Sequence, residues 1–265
     1  VARLEGGVSA IEQAIASYQP ACILALFSGG HDSVCSTHLA AQHPAFKAVV
    51  HVNTGIGVEQ TREYVRQVCR DQGWPLLEEC APEGWYDANC LKMGMPGGPG
   101  QHGIMYQRLK DDQVRAVVRR HKRRRGDTVG LVTGIRRSES DRRMRVHAEP
   151  YVRERALLWI NPLLDWTSAD IADYMVAAGL PRNPVVDHLH RSGECLCGAL
   201  ADPQELDWIA LWYPEVAARI RALERQCFER GLPHNWGRGL PMAIDPNQPM
   251  LPLCSDCPTR WDSDV

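Results

Sequence analysis

Two rhythms of hydrophobic and polar positions alternate along this chain. Short apolar runs fall at residues 21–27, 47–53, 128–133 and 157–160, and PLLEEC at 75–80 adds a strand between the second and third of these. Runs of that length, apolar at successive positions, read as strands covered on both faces. Between and after them the apolar positions recur at helical spacing. This predicts helices over 9–18, 32–42 (Val34 and Leu39 inward), 58–72 (Tyr64, Val65 and Val68 inward) and 104–121. Thr167 is placed to cap another helix ending near Ala177, and 205–212 and 214–229 complete the set. Strands alternating with helices predict an α/β fold with a doubly wound, parallel, five-stranded sheet. The expected division is a nucleotide-binding domain over 1–165. A helical, cysteine-bearing C-terminal region over 166–265 would pack on it. The stretch 84–103 includes MPGGPGQHG and is expected as a long loop without regular structure.

Composition changes this picture little. A hydrophobic share of 44% and a charged share of 23% are those of a globular protein. No apolar run reaches the roughly 18 residues of a spanning helix. The first residues do not read as a secretory leader, so no membrane partner and a cytoplasmic location are expected. In a reducing compartment the ten cysteines would be buried, catalytic or metal-bound. Cys22, Cys35 and Cys69 lie in apolar periodic segments and are expected in the core. Net charge is -2, but residues 115–155 hold 14 Lys and Arg against 5 Asp and Glu. The run from Arg119 to Arg125 is therefore a candidate contact for nucleic acid through its phosphates.

The chemistry concentrates where strands end. SGGHDS at 28–33 follows the first buried strand and opens a helix. Glycines let the backbone close around an anion, and the free amides of the next helix point at it. Ser28, Gly29, Gly30, His31 and Ser33 are candidate phosphate contacts. Asp32 is a helix-capping group or a ligand to Mg²⁺. Asn53, Thr54 and Gly55 end the second strand and are placed to touch a base or ribose. Gly134, Arg136 and Arg137 end the fourth, where a guanidinium suits phosphate or sulfate; Arg142 and Arg143 would extend that patch. Cys195, Cys197, Cys254 and Cys257 form two close pairs, and four thiolates suit zinc or an iron–sulfur cluster. Cys90 is a further candidate, as ligand or as sulfur-handling nucleophile.

SGGHDS resembles the pyrophosphate loop of the adenine-nucleotide alpha hydrolases, the ATP pyrophosphatases. Three more stretches resemble the branch related to phosphoadenylyl-sulfate (PAPS) reductase: TGIRRSESDRR at 133–143, INPLLDWTSADIADYM at 160–175, and LPRNPVVDHLHRSGECLC at 180–197. His31 stands where that family's loop carries lysine, and Asn53 where it carries aspartate. There is also no tandem Cys-Cys before the GIRR string and no ECG-x-H string. In these respects the chain is closest in character to the sulfurtransferases of DNA phosphorothioation.

The resemblance implies a Rossmann-like nucleotide fold that binds ATP with Mg²⁺. It implies Asp32, Arg136 and Cys90 as catalytic, and Cys195, Cys197, Cys254 and Cys257 as ligands of a [4Fe-4S] cluster, with Zn²⁺ the alternative. The expected activity is cleavage of ATP to AMP and pyrophosphate, activating an acceptor for sulfur transfer. Nucleic acid is the expected acceptor, and a cysteine desulfurase is the kind of protein that would donate sulfur. The alternatives are reduction of a sulfonucleotide and a zinc-stapled nucleic-acid-binding module.

Overall fold

The structure, a computed structural model, describes residues 2–139, 149–202 and 204–237. Arg142, Arg143, Cys254 and Cys257 lie outside the described residues.

The chain opens with helix α1 (Ala2–Tyr18) and then winds strands and helices in turn: β1 (Ile23–Leu26), α2 (His31–Ala41), β2 (Phe46–Asn53), α3 (Glu59–Asp71) and β3 (Leu76–Cys80). Helices α4 (Trp85–Met93), α5 (Gly98–Tyr106) and α6 (Asp112–His121) precede β4 (Val129–Val132). Next come β5 (Tyr151–Glu154), β6 (Leu157–Ile160) and α7 (Ser168–Ala177). Three more helices follow: α8 (Pro184–Leu189), α9 (Glu205–Trp212) and α10 (Pro214–Glu229).

One six-stranded sheet runs β3-β2-β1-β4-β6-β5. Its first five strands are parallel, and β5 pairs antiparallel with β6. The five parallel strands are those expected. The sixth was not expected, because Tyr151–Glu154 alternates with charge and is half-exposed at the sheet edge. The central strands β1, β4 and β6 are buried at nearly every position, as their continuous Ile, Leu and Val content requires. Order reverses at β1: β2 lies on one side of it and β4 on the other. Ligands of such sheets bind at that reversal, beyond the carboxyl ends of β1 and β4.

Two apolar clusters cover the sheet faces. One gathers Ile11, Val34, Leu39, Val65 and Ile171 with Cys35 and Cys69. The other joins Leu24, Val50 and Leu131 to Val114 and Val117 of α6. A third cluster is helical and draws on both halves of the chain. It packs Tyr86, Cys90 and Met105 against Leu196, Ile209, Ile220 and Trp236. Both the first cluster and the third take members from either side of the boundary expected between 165 and 166.

The expectation of a long loop over 84–103 is corrected. Helices α4 and α5 occupy most of it, joined by a turn at Gly94 with φ +88°. Glycine and proline mark the helix ends here, and Pro99 enters in the first turn of α5, where its missing amide costs nothing. Burial of Tyr86, Cys90, Met95 and Met105 holds the segment in place. The helix expected over 104–121 is interrupted by a π-helical turn at Gln107–Asp111. Among the described residues no helix is long and apolar enough to cross a membrane.

Candidate nucleotide and cysteine site

Strand β1 delivers the chain, through buried Phe27, to the 28–30 turn. Gly29 turns it with φ +85°, and a Cβ there would lie 2.5 Å from the Thr61 methyl. Both facts demand glycine. The Gly29 carbonyl accepts from Asn183 Nδ2 at 2.8 Å, pinning the turn to the start of α8. Gly30 then enters α2 in extended conformation and gives the helix no side-chain cap. The first amides of α2 are those a helix cannot satisfy internally, so this end suits an anion. Ser28 Oγ donates to Ser33 Oγ at 3.2 Å, and Ser33 Oγ donates to the Gly30 carbonyl at 2.8 Å. His31 is half-buried, and its Nε2 is buried with no hydrogen-bond partner among the described residues. Burial pushes this imidazole below its ordinary value, Arg182 adds to the shift, and Asp187 opposes it.

Across the reversal in strand order, β4 leads into Thr133, whose hydroxyl donates to Asn161 Oδ1 at 2.7 Å. A Cβ on Gly134 would sit 2.7 Å from the Asp32 carbonyl carbon and 2.8 Å from the Ser33 nitrogen. Glycine therefore lets the β4 loop rest directly on the first turn of α2. Arg136 is 7% exposed. Its Nε lies 3.1 Å from Asp32 Oδ2, and its Nη1 donates to Ser168 Oγ at 3.1 Å. Sequence reasoning gave Asp32 and Arg136 separate chemical tasks. The structure binds them to each other, joining the β1 loop, the β4 loop and α7. Asp32 does not cap α2; it lies in the first turn, where its charge complements the helix dipole. Arg137 is exposed and donates from Nε to Asp165 at 2.9 Å. Its recorded partner thus lies on the surface beyond β6.

The β2 loop departs further from expectation. Asn53 Oδ1 accepts the Gly55 amide at 2.9 Å, and Asn53 Nδ2 donates to Glu78 at 3.1 Å. Arg66 clamps the same Glu78 with two bonds, at 2.8 and 2.7 Å, and holds its carboxyl at about 2. Thr54 is buried, and both its amide and its hydroxyl donate to Glu194. The Gly55 carbonyl accepts from Arg219 at 2.7 Å. The polar atoms of Asn53 and Thr54 are engaged with protein, so their expected contact with base or ribose is not what holds them here.

The cysteine loop lies beside these turns. Thr61 Oγ1 donates to the Ser192 carbonyl, and Val58 N to the Gly193 carbonyl at 2.9 Å. The Ser192 Cβ would be 3.9 Å from a Cβ on Gly30, so this loop borders the phosphate turn. Three residue steps lead from Ser192 to Cys195, a reach of about 11 Å at most. Tyr86 Oη donates to the Cys197 carbonyl and Trp236 Nε1 to the Leu196 carbonyl, both at 2.9 Å. The Cys197 thiol holds Cys195 below its ordinary value, with Lys110 and Arg191 assisting and burial opposing; the neighbouring Cys195 and burial raise Cys197. Among the described residues no three His, Cys, Asp or Glu side chains are grouped to hold a metal ion. Cys195 and Cys197 offer two of the four expected thiolates.

Cys90 is not disposed for either task expected of it. It is fully buried in the helical core, and burial pushes its thiol up to about 12. Its environment suppresses the thiolate, as for a structural cysteine. Cys35 and Cys69 are buried as expected, whereas Cys22 is only half-buried.

The run from Arg119 to Arg125 closes α6 and leads toward β4, at the amino ends of the parallel strands. Arg123 donates to the Ala21 carbonyl at 3.0 Å, ahead of β1. Arg120 pairs with Glu79, and Arg124 with Asp127. Glu79 is in register with Val52, two residues beyond the partner of Leu26, so Arg120 reaches the carboxyl end of the edge strand β3 while Arg123 reaches the amino end of β1.

The family model for the phosphoadenosine phosphosulfate reductase domain matches residues 22–197, from the start of β1 to the second cysteine of the loop. The chain belongs to this family. The match takes in the 28–33 turn, the β4 loop and the Cys195–Cys197 pair. An adenosine 5'-phosphosulfate reductase of Mesorhizobium japonicum is 28% identical over 184 residues, covering 69% of this chain and 68% of the relative. One from Burkholderia cepacia is 41% identical over 59 residues, covering 22% of this chain but only 24% of the relative. Among solved structures, phosphoadenylyl-sulfate reductase of Candida auris in a phosphate complex aligns with a TM-score of 0.52. That alignment has 15% identity and covers 69% of this chain and 84% of the other. It bears out the α/β fold.

Sequence reasoning missed the polar groups that knit this site together. His51, Arg62 and Glu194 are all buried, and they meet behind the β2 loop. A histidine inside the apolar run KAVVHVN and a glutamate beside a cysteine pair were the available signals.

Proposed function

We propose that this chain is an adenine-nucleotide-dependent enzyme of sulfur transfer. One observation carries the reading: an uncapped helix start at a topological switch point is bordered by Ser192 of the loop that carries Cys195 and Cys197. The substrate in this reading is Mg·ATP. Its phosphates lie against the amides of residues 29–33 and the hydroxyls of Ser28 and Ser33, with His31 Nε2 as a further contact. Attack at the α-phosphate forms a bond to an acceptor oxygen and breaks the α–β bridge. Pyrophosphate leaves, and the acceptor carries AMP until sulfur displaces it. Asp32 and Arg136 serve as a clasp that fixes α2 beneath the phosphates.

In the same proposal Cys195, Cys197, Cys254 and Cys257 hold a [4Fe-4S] cluster, with zinc as the alternative. When bound, that cluster supplies sulfur or electron handling next to the nucleotide. A nucleic-acid acceptor is the finer part of the proposal. Its phosphates would be contacted by the run from Arg119 to Arg125.

A second reading is reduction of a sulfonucleotide, and the names of the relatives favour it. Product analysis separates the two. Full-length protein purified anaerobically is given Mg·ATP in one arm and adenosine 5'-phosphosulfate with a thiol donor in the other. Pyrophosphate and AMP from the first arm, lost in Ser28→Ala, support ATP activation. Sulfite from the second arm with no pyrophosphate from the first replaces it with the reductase reading.

A further inference from the structure

Behind the β2 loop a glutamate is buried in an unusual setting. Glu194 is 1% exposed, as is His51, and Arg62 is 8% exposed. Glu194 Oε1 accepts the Thr54 amide at 2.8 Å and the Thr54 hydroxyl at 3.2 Å. Its Oε2 faces His51 Nε2 at 3.2 Å and Arg62 Nε at 3.6 Å. The Glu194 backbone carbonyl accepts the Thr54 hydroxyl as well. His51 Nδ1 lies 2.7 Å from the Phe27 carbonyl, which only accepts, so Nδ1 carries a proton.

These contacts run on without a break, as hydrogen bonds at Phe27 and Thr54 and as close charged contacts at Glu194 Oε2. They begin at Phe27, the residue before the phosphate turn. They pass through His51 to Glu194, and from there to Thr54 in the β2 loop. Glu194 is covalently joined to Cys195. An isolated buried carboxylate is costly, and removing one partner of such a group leaves the others uncompensated. The three loops therefore move together or not at all.

We propose that Glu194 is a positioning residue that locks the cysteine pair to the nucleotide-binding loops, so that a bound nucleotide fixes the geometry of Cys195 and Cys197. This inference rests on the proposed nucleotide site. Linkage makes it reciprocal: whatever orders the cysteine loop also tightens the nucleotide.

Hydrogen–deuterium exchange of the full chain, purified anaerobically, tests it. Exchange in the peptide covering 192–199 is compared with and without saturating Mg·ATP, and again with adenosine 5'-phosphosulfate. In the wild type, the nucleotide that binds slows exchange in this peptide at least threefold. In Glu194→Gln the same nucleotide still binds, but the slowing falls below 1.5-fold. A purely structural role would raise exchange with and without nucleotide and leave the ratio unchanged. Thr54→Val covers the case in which Glu194→Gln does not fold. It removes the hydroxyl bonds to Glu194 without changing side-chain shape, and it should lose the slowing that Thr54→Ser retains. Equal slowing in wild type and variants overturns this inference and leaves the proposed function standing. Binding of neither nucleotide by the wild type overturns both.

Discussion

Asn53 occupies the position where the family carries aspartate, and its partners explain what an amide does there. Nδ2 donates to Glu78, whose carboxyl Arg66 already holds at about 2. An aspartate at this position would set two carboxylates against each other. Asn53→Asp should therefore cost about 1–3 kcal/mol at pH 7, a melting shift of roughly 3–10 °C. The shift should shrink as pH falls toward about 4, where the new carboxyl takes up a proton. Thermal melts of both proteins from pH 7 to pH 4 check this. The lowered value of Glu78 has a consequence of its own. Its stabilising contribution is complete above the ordinary glutamate value and is lost as pH drops from about 4.5 toward about 2.

His31 stands in place of the family's lysine, and here too the environment is informative. Burial and Arg182 push the imidazole down, so without ligand its charged form is disfavoured at neutral pH. A polyphosphate beside Nε2 would raise it again, and binding would then take up a proton. Mg·ATP affinity should rise as pH is lowered from 8 to 5.5, and His31→Gln should flatten that slope. Calorimetric titration at four pH values measures it. Such roles were only half-legible in the sequence. Ser28, Gly29 and Gly30 announced themselves by type and spacing. The engagement of Asn53 with Glu78, 25 residues away, did not, because it depends on the register of β2 against β3.

At the scale of elements, the continuous apolar strands and the amphipathic helices α3, α9 and α10 followed from periodicity. What failed were segments held by tertiary burial against their local signals. Helix α4 has weak amphipathicity, and its stability comes from packing Tyr86 and Cys90 into the helical core. Strand β5 exists because β6 offers it an edge. The docking of α2 depends on a more local device. Arg136 joins Asp32 at its first turn to Ser168 at the first turn of α7. Arg136→Met should destabilise the protein by about 2–4 kcal/mol; the low end applies because Asp32 keeps 21% of its side chain in water. The double variant with Asp32→Asn should lose less than the two single variants summed, as coupled partners do. Urea unfolding of the four proteins gives the comparison.

Over the whole molecule, the carboxyl ends of one sheet gather the 28–33 turn, the Asp32–Arg136 clasp, the buried Glu194 cluster and the loop of the thiol pair. The basic run borders the sheet from the amino end of β1 to the carboxyl end of β3. That arrangement was visible in outline from the sequence, since strand ends and the strand-order reversal set where ligands go in such sheets. The placement of the cysteine loop was not, because only folding brings residue 192 beside residue 30. The central claim is that an adenine nucleotide binds at residues 28–33. Equilibrium dialysis of full-length protein with Mg·ATP and with adenosine 5'-phosphosulfate tests it most directly, using wild type, Ser28→Ala and Gly29→Ala, each checked for folding by its melt. At least one nucleotide should bind the wild type, with affinity weakened about tenfold or more in both variants. Binding of neither nucleotide, or binding unchanged in folded Ser28→Ala and Gly29→Ala, would contradict it.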